Sequence, residues 1–590
     1  MDAPDMAARW AADDLYSGPD DPRLAVDLAA ARQAADVASR AAGRRGFLTA
    51  RALRKALDVL DTALLRHGQL SAYATMLTLT DSGNDAAQQL LAACQRLQAT
   101  NEATAATLEW RLSKARPALL DAAKLAPYRP FLLHRRAEAD RVRRAGTSAA
   151  MRAAILKSET GKLAQMRGQL EAAMTATVKL DGREQTLPIT EVRGLLQSPN
   201  GEARRQAHLA EAAACRKHED TFAACINGIK GEGLTMAELR GHDSVLHWML
   251  SLSRMERATL DAMQAAVVEA LPHFRRFVAA KGRLLGHSGP MPYYDLNAPL
   301  GHTARRFSLT EAGDFLSEAF SSVDGQLGDF VHHAFQNRWL DTEPRAGKQG
   351  GAMCIPLPAR RESRVFSNFD GSLPGVITLG HELGHCWHDR CTFQVPMLLR
   401  DAPTPVCETA STFHETLIYE GALASAGPEE QLFLLDSLLS NAVRNIADMH
   451  ARYTFEDRLL EQRRHGELDA ETLCALMAQC QREVYGDSLN DILNPYQWMG
   501  KVHYYIPHFH YYSFPYTFGL LFSQGLYEQF VVGAPDFFPR YCTMLGKTGV
   551  VSVEEAGAMM GIDLTSSAFW DQAMAAFVEK IEGFVALARG

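Results

Sequence analysis

Long apolar runs are missing from the sequence, and its first residues, "MDAPDMAARWAADDLY", contain no apolar segment either. A transmembrane helix needs about 20 apolar residues in succession, and a secretory signal needs a shorter apolar core. We therefore expect no membrane span and no secretory signal. Charge of one sign is not in large excess, since the formal net charge is −8 and the pI is about 6.2. This balance gives no electrostatic reason to expect nucleic acid or an acidic membrane as a partner.

Cysteine is also scarce, with ten residues in a chain of 590, and no pair has the CxxC spacing. We therefore expect reduced thiols and a cytoplasmic protein, and we do not expect a disulfide scaffold. Internal repeats and low-complexity linkers are absent as well. A chain of this length is too long for one small core, so it forms several domains or one large assembly of helices.

Helical patterning is abundant. Residues 24–175 are rich in Ala, Leu, Arg and Gln, and their apolar residues recur at helical spacing. Two short extended runs around Asp181 and Gly182 predict a hairpin, with a domain boundary near residue 195. Residues 286–375 contain many Gly and Pro and several short extended segments, which predict a small sheet. Helical patterning returns from residue 376, so we predict a mainly α chain divided into residues 1–195 and 196–590.

The stretch "LPGVITLGHELGHCWHDR" (373–390) places His381, Glu382 and His385 among apolar and small residues. On a helix, residues four apart share one face, so the two imidazoles can converge on a tetrahedral Zn²⁺. Glu382 is rotated off that face by roughly 100°. It is therefore placed poorly as a ligand and well as a general base beside the metal. A bare HExxH also occurs by chance, but apolar flanks with glycine are typical of a buried helix that lines a cleft.

A catalytic zinc site needs a third protein ligand. His388 is a poor candidate, because it lies about 10 Å from His381 along a straight helix. The next predicted helix, "TPVCETASTFHETLIYEGAL" (404–423), starts near Pro405 and offers Glu408 and Glu415 on one face. Glu408 reaches the metal if the two helices pack antiparallel, and Glu415 can then hydrogen-bond a ligand imidazole. For each glutamate the alternative is an ordinary surface carboxylate.

The sequence resembles the oligoendopeptidase F branch of the thimet-oligopeptidase-like zinc peptidases. The matching motifs are "HELGHCWH", "VCETASTFHE", "IPHFHYYSFPYTFGLLFSQGLY", "KQGGAMC", "SRVFSNFDGSLPGVITLG" and "RWAADDLY". They run from near residue 9 to near residue 527, so the resemblance extends over nearly the whole chain. It implies that His381, His385 and Glu408 bind one Zn²⁺ and that Glu382 is the catalytic base. Mn²⁺ or Co²⁺ remains an alternative for such a ligand set.

The same resemblance implies the architecture and the activity. Two helical lobes enclose a deep substrate channel, with the zinc at its floor and a small sheet near "GGAMC" that pairs with substrate backbone. Residues 1–195 would be the N-terminal helical lobe and residues 196–590 the catalytic domain. The expected substrates are short unstructured peptides, cut at internal bonds. His508 and Tyr512 are the best matches to the histidine and tyrosine that stabilise the oxyanion. Other residues compete for this role: His503, His510, Tyr504, Tyr505, Tyr511 and Tyr516.

Two rivals stay open at this point. A metallocarboxypeptidase of similar helical fold needs a basic residue that holds a free C-terminal carboxylate. A non-catalytic peptide-binding scaffold would not need all of His381, Glu382, His385 and Glu408, so the intact set argues against it.

Overall fold

Helices make up most of the protein, as the spacing of its apolar residues predicts. The computed structural model describes residues 8–589 except 47, 145–159, 181 and 302–304. The helices of the first half are α1 (Pro22–Ala42), α2 (Ala50–Thr80), α3 (Asp85–Ser113), α4 (Arg129–Arg144), α5 (Thr160–Ala173), α6 (Ile189–Gly194), α7 (Gly201–Arg216), α8 (Glu219–Leu239), α9 (Val245–Leu252), α10 (Arg257–Leu284), α11 (Leu309–Ser321) and α12 (Gly325–Gln336). The helices of the second half are α13 (Leu373–Thr392), α14 (Thr404–Cys407), α15 (Thr409–Ser425), α16 (Pro428–Ala442), α17 (Met449–Arg463), α18 (Ala470–Tyr485), α19 (Gln497–Gly500), α20 (Phe514–Val531), α21 (Phe537–Leu545), α22 (Val553–Met559) and α23 (Ser567–Leu587).

Within the described residues, two small sheets interrupt the helices. Strands β1 (Thr175–Leu180) and β2 (Arg183–Pro188) form the antiparallel hairpin that the sequence predicts. Of its two predicted turn residues, Asp181 lies outside the described residues. The second sheet has the order β3-β5-β4, with β3 (Leu340–Asp341), β4 (Met353–Leu357) and β5 (Glu362–Phe366). Strand β4 pairs with β5 along one edge, and its other edge faces a cavity.

Helix α13 carries the HExxH motif, and local signals define its start. The Ser372 side chain accepts a hydrogen bond from the Gly375 N–H, and Pro374 stands in the first turn. A serine cap satisfies one of the unpaired N–H groups at the helix start, and proline there loses no helical hydrogen bond. The start of α13 is therefore encoded locally, directly after β5.

The apolar core divides into one large cluster and two smaller ones. The large cluster joins buried residues from Met174 to Val585. One small cluster joins α1–α3 to Ile355, Leu357 and Phe366 of the sheet, and the other joins α1–α4 to Leu399. The helices before residue 145 thus form one lobe that packs on β4, β5 and the segment after α13. A cavity of about 800 Å³ lies between this lobe and α13, as expected for two helical lobes around a channel.

None of the helices in the described part of the chain combines the length and the apolarity needed to span a bilayer.

Candidate active site

Helices α13 and α15 pack closely against each other, with two glycines of α13 at their contact. A Cβ on Gly384 would lie 2.7 Å from the Ser411 Cα, and one on Gly380 would lie 2.1 Å from the Ile418 side chain. Both distances are shorter than a non-bonded carbon contact allows. The glycines of "LGHELGH" therefore let the two helices approach, and the helices run antiparallel.

This packing brings together three side chains that could hold a metal ion. His381 and His385 project from one face of α13, with their Nε2 atoms 3.1 Å apart. Glu408 stands between α14 and α15, and its Oε2 lies 3.4 Å from the His381 Nε2 and 3.2 Å from the His385 Nε2. One donor atom from each residue lies within 4.8 Å of the others. The ligand set predicted from the sequence is thus gathered at one point.

A second glutamate orients the first histidine. The His381 Nδ1 donates a hydrogen bond to the Glu415 Oε1 at 2.6 Å. Burial lowers the pKa of His381, but hydrogen bonds to Glu408 and Glu415 outweigh burial and raise this pKa to about 10. Burial raises the pKa of Glu408, but hydrogen bonds from His381 and His385 bring it far below its usual range. The carboxylates of Glu408 and Glu415 therefore concentrate negative charge around the His381 imidazole.

Glu382 occupies a different place from its neighbours on α13. Its side chain is buried, lines the cavity beside the histidines and is held by the backbone N–H of Cys354 on β4. Burial raises the pKa of Glu382, partly offset by His381 and His385. A carboxylate with a raised pKa at a cavity wall is suited to exchange protons.

The residues present fit a divalent metal ion. A metal ion takes the place of the proton on the His381 Nε2, and because Nδ1 donates to Glu415, the lone pair of the ring that has lost this proton is directed toward Glu408 and His385. Carboxylate–histidine pairs of this kind fix the tautomer of metal-ligating imidazoles. Two imidazoles and one carboxylate are also the donor set of catalytic zinc sites.

The cavity has walls from both lobes. Helix α2 contributes His67, Gly68 and Ser71, strand β4 contributes residues 353–356, and α13 with residues of the segment that follows it, up to Glu408, forms most of the remaining wall. A Cβ on Gly68 would lie 3.2 Å from the Pro358 side chain, so α2 approaches the end of β4 closely. His388 also lines the cavity, and its Nε2 lies 2.8 Å from the Thr548 Oγ1.

The aromatic segment that leads into α20 continues into a contact with Glu408. A Cβ on Gly519 would lie 3.2 Å from the Glu408 Cβ, so the first turns of α20 pack directly on this glutamate. Tyr516 lies three residues earlier on the same helix, and its ring packs edge-on against that of Tyr512 with centroids 5.4 Å apart. The Tyr516 hydroxyl also lies 3.4 Å from the His503 Nε2.

His508 has a different neighbourhood from these tyrosines. Its Nδ1 lies 3.7 Å from the Glu232 Oε2 on α8, and its backbone has φ = +61°. The Tyr512 ring is tilted against His503 and edge-on to Tyr516, with ring centroids 5.0 Å and 5.4 Å away. The structure thus groups Tyr512 with His503 and Tyr516, and it places His508 against α8.

Several contacts at the site have only weak signals in the sequence. Ser411 donates to the Glu408 Oε2 at 3.0 Å, and its position three residues after Glu408 is a spacing that suggests such a bond. The Cys354 N–H at Glu382 and the Arg452 guanidinium at His503 come from distant segments. No local pattern marks either of them.

The chain is similar in sequence to known peptidases. Residues 314–576, which include α13, α15 and α20, match the sequence profile of Peptidase family M3. An oligoendopeptidase F homolog of Lactococcus lactis subsp. lactis (strain IL1403) is 24% identical over 457 residues, which are 73% of this chain and 74% of the relative.

Solved structures share the fold over almost the full length. A crystallised protein of Chlamydophila abortus superimposes with a TM-score of 0.81 at 20% identity, covering 98% of both chains. The oligoendopeptidase F of Enterococcus faecium superimposes with a TM-score of 0.68 at 18% identity, covering 96% of this chain and 97% of that one. The resemblance to the oligoendopeptidase F branch of the family M3 peptidases, predicted from the motifs, is thereby confirmed.

Proposed function

We propose that this protein is a zinc-dependent endopeptidase that hydrolyses internal bonds of short, unstructured peptides. The observation that carries the proposal is the convergence of His381, His385 and Glu408 at the wall of a large cavity, with the Glu382 carboxylate beside them. The matches to family M3 and to oligoendopeptidase F homologs support a peptidase.

In the proposed site, His381, His385 and Glu408 hold the ion, and Glu415 keeps the His381 ring in the binding tautomer. When bound, Zn²⁺ supplies a Lewis acid that lowers the pKa of water and polarises a carbonyl. Glu382 accepts the proton of the attacking water and later returns it to the leaving amine. Its raised pKa brings the carboxylate closer to the range in which both transfers are efficient.

The oxyanion that develops needs hydrogen-bond donors. His508 and Tyr512 are the donors that the family resemblance implies, and these roles stay predictions. The contacts of α20 with Glu408 support Tyr516, together with His503 behind it, as further candidates. Four separate variants, each lacking one of these side chains, would rank the candidates by their loss of kcat.

The free edge of β4 suits an extended substrate. Residues 353–356 line the cavity, and this strand pairs with β5 on one side only. A peptide that adds along the free edge forms hydrogen bonds through its backbone, so this binding does not depend on the identity of its side chains. Pro356, which lacks an N–H, stands in the strand, as is usual for prolines in edge strands.

The carboxypeptidase alternative needs a cation for the substrate terminus. Arg400 lines the cavity, but its Nε and Nη2 donate to the carbonyl oxygens of Val395 and Phe393 at 2.9 and 3.3 Å. These bonds favour a role of Arg400 in holding the segment after α13. They therefore favour an endopeptidase.

The decisive experiment separates metal binding from catalysis. Glu382→Gln should retain about one Zn²⁺ per chain, because Glu382 is not a ligand, and should lose activity by about 10²- to 10⁴-fold. His381→Ala, His385→Ala and Glu408→Ala should each lose zinc as well. Metal content is measured by mass spectrometry and activity with a quenched fluorescent peptide blocked at both ends.

His332→Ala is the matched control, since His332 is an exposed histidine on α12 whose ring contacts only the neighbouring Gln336 among the bonds described. It should leave zinc and turnover unchanged. Loss of zinc in Glu382→Gln, or full turnover in Glu408→Ala, would contradict the assignment.

Two further expectations belong to the same proposal. The division into a lobe of residues 1–195 and a catalytic domain of residues 196–590 stays a prediction, to be tested by limited proteolysis. A cytoplasmic location likewise stays a prediction.

A further inference from the structure

A buried arginine contacts a histidine behind the tyrosines of the site. Arg452, on α17, is 3% exposed, and its Nη2 donates to the Nδ1 of His503. A guanidinium keeps its protons at any pH that a protein survives, and it has no acceptor. The Nδ1 of His503 must therefore be the unprotonated nitrogen of its ring.

The ring of His503 is also neutral. Burial, and after it the positive charges of Arg452 and Lys501, lower the pKa of His503 to about 4. A neutral imidazole has one N–H, and Arg452 excludes it from Nδ1. The proton therefore stays on Nε2.

That proton defines the direction of the next hydrogen bond. The His503 Nε2 lies 3.4 Å from the Tyr516 hydroxyl. With Nε2 as the donor, the Tyr516 oxygen accepts, and its own hydrogen must point elsewhere. Tyr516 lies one helical turn before Gly519, where α20 packs on Glu408, and its ring centroid is 5.4 Å from that of Tyr512.

The three side chains come from three separate parts of the chain, and two of these parts are joined by a hydrogen bond. A π-helical segment, Val443–Asp448, precedes α17, and the carbonyl oxygen of Asn445 in it accepts from the Thr517 hydroxyl at 2.7 Å. π-helical turns leave carbonyls free in this way and occur often at functional sites. This bond ties the start of α17 to the residue that follows Tyr516. The Arg452 Nη1 is held in turn by the Met449 sulfur at 3.2 Å.

We propose that Arg452 is a positioning residue, which fixes the Nε2–H tautomer of His503 and so turns the Tyr516 hydroxyl hydrogen away from His503, at the start of the helix that packs on Glu408. The chain from Arg452 through His503 to Tyr516 places a polarised donor where the oxyanion of the proposed reaction develops. Charge-assisted hydrogen bonds in series strengthen one another, so the arginine also makes the tyrosine a better donor. The catalytic role of Arg452 rests on the proposed peptidase function, whereas the tautomer of His503 does not depend on it.

Nitrogen NMR of the metal-free protein tests the geometry directly. With ¹⁵N-labelled histidine, the His503 signals are assigned by their loss in His503→Gln. We expect Nδ1 to resonate as an unprotonated nitrogen and Nε2 as a protonated one. In Arg452→Met the constraint on Nδ1 is removed, and the tautomer should shift toward Nδ1–H. A protonated Nδ1 in the wild-type protein would overturn the proposal without any variant.

Steady-state kinetics of the zinc-loaded protein test whether the positioning by Arg452 contributes to catalysis. Arg452→Met should lower kcat by about 10- to 100-fold with little change in KM, as loss of a residue that orients a catalytic group typically does. Arg452→Lys, which keeps a charged donor, should recover part of this loss. Arg458→Met is the matched control, because Arg458 lies on the same helix but pairs with Glu483 at 2.8 Å on the surface.

The outcomes separate the two proposals. Equal kcat in Arg452→Met and Arg458→Met, or a drop in Arg452→Lys as large as in Arg452→Met, would overturn the positioning role. A wild-type protein that binds zinc and cleaves no peptide would contradict the proposed function. The nitrogen signals of His503 would still decide its tautomer.

Discussion

His381 illustrates how a single residue at this site depends on its neighbours. It faces Glu408 through Nε2 and Glu415 through Nδ1, so both of its nitrogens are engaged by carboxylates. Its ring is held in one orientation before any metal arrives. Removing the carboxylate behind the ring frees both the tautomer and the rotation of the imidazole.

We therefore expect Glu415→Gln to weaken zinc binding by about 10- to 100-fold while the protein stays folded. Competition with a zinc chelator of known affinity measures the change. Glu420→Gln is the control. Glu420 lies on the same helix as Glu415, but its Oε1 forms an ion pair with the Lys580 Nζ at a distance of 2.7 Å and does not contact His381. Equal zinc affinity in the two variants would show that Glu415 does not orient His381.

The pairing of α13 and α15 is the element on which the site depends, because one helix carries the histidines and the other begins at Glu408. Their close approach requires Gly384, whose missing side chain leaves room for the Ser411 backbone. The sequence signal for this contact is present but ambiguous. Glycine beside HExxH is compatible with close packing, with a kink or with a helix end.

Gly384→Ala should destabilise the protein by about 1–3 kcal/mol, since the added methyl meets backbone that cannot rotate away. The two helices would separate, so zinc affinity should fall as well. Denaturant unfolding and chelator competition measure the two effects.

Gly421→Ala serves as the comparison, because Gly421 is exposed on α15 with no atom within 4 Å of its added Cβ. This substitution should stabilise the helix by up to about 1 kcal/mol. If Gly384→Ala proved as harmless as Gly421→Ala, close helix packing would not be what holds the ligands together.

At the scale of the whole molecule, the cavity between the lobes limits what can reach the site. It measures about 800 Å³ and is bounded by α2 on one side and by α13 on the other. An extended peptide advances about 3.3 Å per residue and is narrow enough to enter. A folded domain is far wider than the space between the lobes.

Peptides blocked at both ends should therefore be cut at internal bonds, and folded proteins of any sequence should remain intact. A ladder of blocked peptides of increasing length, read by mass spectrometry, gives the accessible range. Glu382→Gln serves as the blank for contaminating peptidases. An absolute need for a free C-terminal carboxylate, or rapid cleavage of a folded protein, would exclude this substrate class.

The sequence by itself determined the local features of this protein. Helical spacing of apolar residues predicts the helices, the paired extended runs predict the β1–β2 hairpin, and the four-residue spacing places His381 and His385 on one face. These features depend on neighbours within a few positions, which a single sequence displays directly. The motifs also sufficed to predict the resemblance to oligoendopeptidase F.

Only the tertiary structure decided which distant residues meet. The Cys354 N–H reaches Glu382 and Arg452 reaches His503 because separate elements pack together, and no spacing along the chain encodes such contacts. In the aromatic segment, the family resemblance favours His508, but His503 and His510 also lie among tyrosines and compete with it. The backbone of His508 and that of Tyr511 are left-handed, which changes the course of the chain between the three histidines. The burial of His510 against Gly233 and Lys230 then fixes the segment on α8, because the imidazole fills the space that a side chain on Gly233 would occupy.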